Sequence, residues 1–299
     1  MSQPIGSVPA ARSPSRQFLI ALGWSILFFI LGYVVTIALA IGYALVFGPV
    51  GARLSIFNHT GPEPLLVQGL ASIAGFGLAT WIIGIRGNRL SLVDLRWKGV
   101  VSRGAAFGGG LLIGVAPALL ALALAMAVGG ARFGPDAGSI ADYLRQVGLT
   151  LLILAPAALS EEMVFRGVPQ VLLSRSMGRF RALILLSVLF AAAHLWNPEV
   201  DPIALANIAL AGVFLGAAFY LPGGIWTAFG AHLGWNFTLA AADAPVSGLP
   251  FTIPWINYLP GGPHWVTGGA FGPEGGLVAS VSIALGLTWV IRRIRREDA

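Results

Sequence analysis

The stretch FLIALGWSILFFILGYVVTIALAIGYALVF, Phe18–Phe47, contains no Asp, Glu, Lys or Arg. At ~1.5 Å rise per residue a helix of this length exceeds the ~30 Å hydrocarbon core of a bilayer. Seven further apolar runs follow, bounded by charge or by Gly and Pro: Leu65–Ile85, Gly104–Val128, Gln146–Leu173, Ala182–His194, Ile203–Tyr220, Gly224–Ala241 and Leu277–Ile291. They predict an all-α polytopic membrane protein, a bundle of about eight transmembrane helices forming one domain over residues 18–291. Composition agrees. Of 299 residues, 57% are hydrophobic and 10% charged, against about 25% charged in a soluble domain. Mean hydropathy is +0.83. A soluble globular fold could not cover its surface with so few charges, and a disordered chain has the opposite composition. Cysteine is absent, which excludes disulfides, thiolate metal sites and a cysteine nucleophile.

The basic residues order the loops. Arg12 and Arg16 precede the first run; Arg86, Arg89, Arg96, Lys98 and Arg103 follow the second; Arg175, Arg179 and Arg181 follow the fourth; Arg292, Arg293, Arg295 and Arg296 follow the eighth. With eight spans these 14 residues share one side, and only Arg53, Arg132 and Arg145 face the other. The positive-inside rule then puts both termini in the cytoplasm. Residues 1–17 read as a disordered cytoplasmic tail before a retained first span, because a signal h-region is only 7–15 residues long. Residues 292–299 read as a basic tail at anionic headgroups. Segment 242–276, rich in Pro, Gly and aromatics, reads as an outer loop resting at the interface. Gly104/Gly108, Gly212/Gly216 and Gly230/Gly234 have the spacing that lets helix backbones approach. The bias to Arg, Ala and Gly suggests a GC-rich bacterial genome, hence the inner membrane. The basic charge is a topology signal and predicts no nucleic-acid partner.

Ionisable side chains inside a span cost about 2.5–3.5 kcal/mol on insertion scales. The runs hold Glu161, Glu162, Arg166, His194 and His232. Glu162 and Arg166 are four apart, the spacing of an ion pair on one helix face. Glu161 lies about 100° round the helix and is free to point elsewhere. Counted from the cytoplasmic ends of their runs, Glu161, His194 and His232 lie about 18, 20 and 12 Å deep, compatible with one buried cavity. A carboxylate and a histidine around one water make a general base, here Glu161 with His194. A second histidine and a nearby amide, His232 and Asn236, suit an oxyanion. These are the parts of peptide-bond hydrolysis without a covalent intermediate, with Arg166 orienting Glu162. Glu161, His194 and His232 are also a set that zinc could use, with water in the fourth place, although no metalloprotease spacing fixes it. Serine and aspartyl types lack their parts: Ser160 and Ser247 have no Gly-x-Ser-Gly context, and no Asp falls inside a run. Paired Glu and His would also serve a proton relay or ligand site in a transporter or bacteriocin-immunity protein. No repeat of the motif-bearing half supports a transporter. His59 and His264 read as structural or incidental residues of outer loops, and Glu63, Glu199, Asp201 and Glu274 as solvated loop carboxylates.

Three stretches carry a resemblance. Ser160-Glu161-Glu162-Met163-Val164-Phe165-Arg166-Gly167 resembles the EExxxR motif of the CAAX-protease and bacteriocin-processing (CPBP, or Abi) family. Phe190 to His194 resembles its FxxxH motif, and His232 to Asn236 its HxxxN motif. All three occur in order within the region of about 146–241 that carries the chemistry. The resemblance implies an intramembrane endopeptidase of glutamate type acting on a membrane-associated protein or peptide. It implies Glu161 as the catalytic glutamate, and Phe190 as part of the substrate pocket.

Overall fold

A computed structural model describes residues 13–47 and 61–297; Arg12, Arg53, His59 and most of the expected N-terminal tail lie outside them. Helix α1 is Pro14–Phe47. It starts earlier than the apolar run because the Ser13 hydroxyl accepts from the Arg16 amide at 3.4 Å, with Pro14 at the first helical position. Residues 14–17 therefore belong to a helix. Helix α2, Pro62–Ala79, continues into a π-helical stretch, Thr80–Gly87. Asn88 ends it by donating its amide side chain to the Ile83 carbonyl at 2.8 Å. Helix α3, Arg103–Gly129, closes at Gly130, whose φ of 71° suits glycine.

The fourth run is two helices. Helix α4, Ile140–Arg166, opens with a capping box between Ser139 and Asp142. It breaks at Gly167, and α5, Val168–Met177, follows with Pro169 in its first turn. Pro169 has no N–H to continue the ladder, so the single long span expected here is bent at this point. Helices α6 (Arg179–Ala193), α7 (Pro202–Ala218) and α8 (Ile225–Ala241) have 15, 17 and 17 residues. Helix α10, Leu277–Glu297, absorbs most of the expected basic tail. Five helical stretches are long and apolar enough to cross a membrane: Pro14–Phe47, Pro62–Gly87, Arg103–Gly129, Ile140–Met177 and Leu277–Arg296. The outward faces carry large apolar side chains, among them Leu19, Ile30, Val34, Leu112 and Leu152. The chain is an all-α integral membrane protein.

The connections at residues 130–139 and 242–276 are more ordered than their composition indicates. Strand β1, Arg132–Pro135, pairs antiparallel with β2, Ile256–Leu259, in the register Arg132↔Leu259. Four residues each, without alternation of polarity, leave no strand signal to read. A short helix α9, His264–Thr267, and two 3-10 turns follow. Ile253, Tyr258, Thr267, Phe271 and Glu274 are buried, so segment 242–276 packs into the bundle, while Trp255 and Trp265 stay about half exposed. Asp243 organises it by accepting from the amides of Ile253 and Tyr258 at 2.8 and 3.3 Å, and burial pushes its carboxyl above the usual range.

Helices α3 and α8 make the closest approach that positions the site. A Cβ on Gly110 or Gly114 would collide with the carbonyl of Thr227 or Ala231, and one on Gly230 or Gly234 with that of Phe107 or Leu111. The expected Gly230/Gly234 pair is thus a backbone contact. Gly104/Gly108 is not: nothing would meet a Cβ there within 4 Å. Gly108 and Gly110 are two residues apart, roughly 200° round the helix, so they face opposite ways. Replacing Gly114 by Val should force α8 away and cost at least about 1–3 kcal/mol, the range for overpacking. Gly108→Val should melt near wild type. Thermal unfolding of both variants in detergent checks the pair.

Candidate active site

The site grows from one buried ion pair. Arg166 Nη1 donates to Glu162 Oε1 at 3.0 Å, with side chains 2% and 0% exposed. The i, i+4 spacing on α4 makes the pair local. Its surroundings make it stable. Arg166 Nη2 donates to the Gly212 carbonyl of α7 at 3.0 Å. The guanidinium also lies 4.7 Å from the ring centroid of Phe190 on α6, within cation–π range. Three helices therefore satisfy one arginine.

His232 of α8 completes the cluster. Its Nδ1 lies 2.8 Å from Glu162 Oε1, which also takes Arg166. A carboxylate paired with arginine is an acceptor, so Nδ1 carries the proton and donates. His194, which caps the C-terminal end of α6, does the same with the Phe190 carbonyl at 2.7 Å. A carbonyl can only accept, so here too Nδ1 is the donor. A neutral imidazole with Nδ1 so engaged has an unprotonated Nε2, and both Nε2 atoms face one oxygen of Glu161. The distances to Glu161 Oε2 are 4.0 Å from His194 and 3.7 Å from His232. These exceed a direct hydrogen bond. A water bonded to two acceptors at ~2.8 Å spans about 4 Å between them.

Adjacent glutamates thus have different surroundings. Glu162 is enclosed, and 36% of the Glu161 side chain is exposed. Glu161 opens on a cavity of about 480 Å³, in the size range of ligand pockets, which His194, His232, Asn236 and Phe190 also line. Every site residue expected from the sequence is in this cluster or on this cavity. The distances of 4.0 and 3.7 Å place both histidines beside Glu161 and do not distinguish the role assigned to His194 from that assigned to His232. Among the described residues no group of three His, Cys, Asp or Glu is arranged to hold a metal ion. The arrangement can hold a water against a carboxylate with two imidazoles beside it, next to an amide donor.

Several contributors had no sequence signal. The Glu162–His232 bond joins residues 70 apart. Gln68 and Ser72 of α2 and Tyr33 of α1 also line the cavity, from outside the motif region. Glu274, expected to be solvated, is a buried cavity residue bonded to Trp235 and Ser247. Asp201 caps α7 by accepting from the Ala204 amide at 2.7 Å, and Glu63 accepts from the Tyr43 hydroxyl at 2.8 Å. Asn207 donates to the carbonyls of Glu274 and Gly276; as a polar residue inside the apolar run Ile203–Tyr220 it was detectable.

Glu162→Gln should leave Arg166 as an uncompensated buried charge, and Arg166→Ala should do the converse to Glu162. Each is expected to cost about 3–5 kcal/mol. A Glu162→Gln/Arg166→Met double variant should melt higher than either single one. Unfolding in detergent reads all three.

The family model described as type II CAAX prenyl endopeptidase Rce1-like matches residues 144–238. The match covers α4 from its second turn through most of α8, and leaves α1–α3 and α10 outside. No curated protein and no solved structure matches the chain. The matched segment, about a third of the chain, contains Glu161, Glu162, Arg166, Phe190, His194, His232 and Asn236 in motif order, and over it the chain is similar to the CAAX-protease (CPBP) family.

Proposed function

We propose that this chain is an intramembrane endopeptidase that hydrolyses a peptide bond in a membrane-associated protein or peptide through water activated by Glu161. The observation carrying this reading is the convergence of two histidine Nε2 atoms on one oxygen of the partly exposed Glu161, at 3.7 and 4.0 Å. Glu161 takes a proton from the water, and the oxygen attacks the scissile carbonyl. Glu161 then returns the proton to the leaving amine, so the carboxylate is regenerated. His194, fixed by its bond to the Phe190 carbonyl, keeps Nε2 directed at the water. The tetrahedral oxyanion takes a hydrogen bond from Asn236, and from His232 when Nε2 of that ring is protonated. Glu162 serves His232 as a fixed partner through Nδ1. Phe190, packed on Arg166 and 4.7 Å from the His194 ring, forms part of the substrate wall.

Glu161→Gln keeps the size and removes the base, so folding should persist and cleavage of a lipid-anchored peptide should stop. His194→Ala should also lose turnover. Asn236→Ala should slow it by about 10²–10³ as an oxyanion donor. Mass spectrometry of the products, with a melting curve for each variant, measures this; peptide cleavage by Glu161→Gln overturns the mechanism. Chelator treatment separates the two uses of the residues. Undiminished cleavage fits the chain's own groups acting alone, and abolished cleavage fits zinc at Glu161, His194 and His232.

The same reading places the protein in a bacterial inner membrane as one transmembrane unit. Its α6–α8 cross together with the longer helices to make eight spans, and both termini lie in the cytoplasm. The grouping of basic residues at Arg86–Arg103, Arg175–Arg181 and Arg292–Arg296 supports this orientation. Reporter fusions after residue 299 and within 242–276 should report opposite sides.

A further inference from the structure

Glu274 lies outside the matched segment and outside the three motifs. It is 8% exposed and lines the cavity that Glu161 opens on. Both its oxygens are engaged. Oε1 accepts from Trp235 Nε1 at 2.8 Å. Oε2 accepts from the Ser247 backbone amide, and from the Ser247 hydroxyl at 3.1 Å. The Ser247 carbonyl in turn accepts from Asn197 Nδ2 at 2.9 Å. Asn197 is three residues after His194, and Trp235 immediately precedes Asn236. One chain of hydrogen bonds therefore runs from the loop behind His194, through Ser247 and Glu274, to the residue beside Asn236.

The backbone of Glu274 is anchored as well. Its carbonyl and that of Gly276 accept from Asn207 on α7 at 2.7 and 2.9 Å, and Asn207 Oδ1 accepts from Ser280 on α10 at 2.6 Å. The carboxylate thus projects from a fixed platform. It grips a tight turn, Val246 to Leu249, whose central residues Ser247 and Gly248 have φ of 50° and 83°. A left-handed serine is an uncommon conformation, and the Glu274 bonds to its amide and hydroxyl hold it. Val246 and Leu249 of this turn form part of the cavity wall. Three donors converge on the carboxylate. A glutamine would offer one acceptor oxygen and turn an amide N–H toward a donor.

We propose that Glu274 is a positioning residue for the reaction at Glu161. By clamping Trp235 and Ser247 it fixes the cavity wall and holds the Asn236 segment against the His194 loop. Its kinetic consequence rests on the endopeptidase reading; the clamp itself does not.

Because the chain has no cysteine, Val246→Cys, at a site 4% exposed, supplies a single thiol reporter on the clamped turn. The rate of its modification by a water-soluble maleimide is compared with and without Glu274→Gln, beside kcat and KM for a lipid-anchored peptide. Glu274→Gln should speed labelling and lower kcat, each by about tenfold, the size expected from losing a hydrogen bond to a charged group. KM should move less, and Glu274→Asp, which keeps the charge, should recover part of kcat. Trp235→Phe, which removes one donor and keeps an aromatic ring, should raise labelling in the same direction and serves if Glu274→Gln does not fold. Labelling at the wild-type rate in the folded variants overturns the clamp. Faster labelling with unchanged kcat overturns the positioning role. If the wild-type protein cleaves nothing, the endopeptidase reading is at fault, and labelling still decides the clamp.

Discussion

The Glu162–Arg166 pair is the constraint that the surrounding structure answers to. Two charges with almost no exposure, in a chain built for a bilayer, need partners, and Glu162 Oε1 takes two while its Oε2 is buried with no hydrogen-bond partner among the described residues. One contact between them is local to α4. The others must come from elsewhere: a carbonyl of α7, an aromatic face of α6 and an imidazole of α8. Satisfying the pair therefore requires three further helices to meet α4 at one depth. The same requirement delivers His232 to the site with its Nδ1 occupied and its Nε2 directed at Glu161.

This explains why two adjacent glutamates suit two purposes. About 100° of helix rotation separates them. One side chain enters the packed junction and is consumed by structure; the other meets the cavity and keeps its oxygens available. His194 is set by a different device. It ends α6, and the bond from its Nδ1 to the carbonyl four residues earlier orients the ring independently of the ion pair. Two separate anchors thus aim two imidazoles at one carboxylate.

Support for the site reaches well beyond the motif-bearing segment. Helix α3 holds α8 by backbone-to-backbone contact through glycines, which leaves His232 little freedom to shift along the helix pair. Helix α2 packs on α4 where Gly69 meets Pro156 and Ala157, and contributes Gln68 and Ser72 to the cavity. Segment 242–276 is drawn into the bundle by buried side chains and by Glu274 rather than by apolar burial alone. The three motif-bearing stretches are short, and helices α2 and α3 and segment 242–276 pack around them.

What the sequence by itself determined was whatever depends on composition or on neighbours three or four residues away. The absence of charge over Phe18–Phe47 specified a membrane helix. The spacing of Glu162 and Arg166 specified an ion pair, and the sequence order of the motifs specified which residues to bring together. Tertiary structure decided the rest. Gly110/Gly114 rather than Gly104/Gly108 contacts α8, because helix rotation is set by the partner and not by spacing. Glu162 reaches His232 across 70 residues, and Glu274 is buried where loop composition indicated solvent. Periodicity records which side chains share a face of one helix. Which faces meet depends on how all the helices satisfy their buried polar groups together, and no local pattern carries that information.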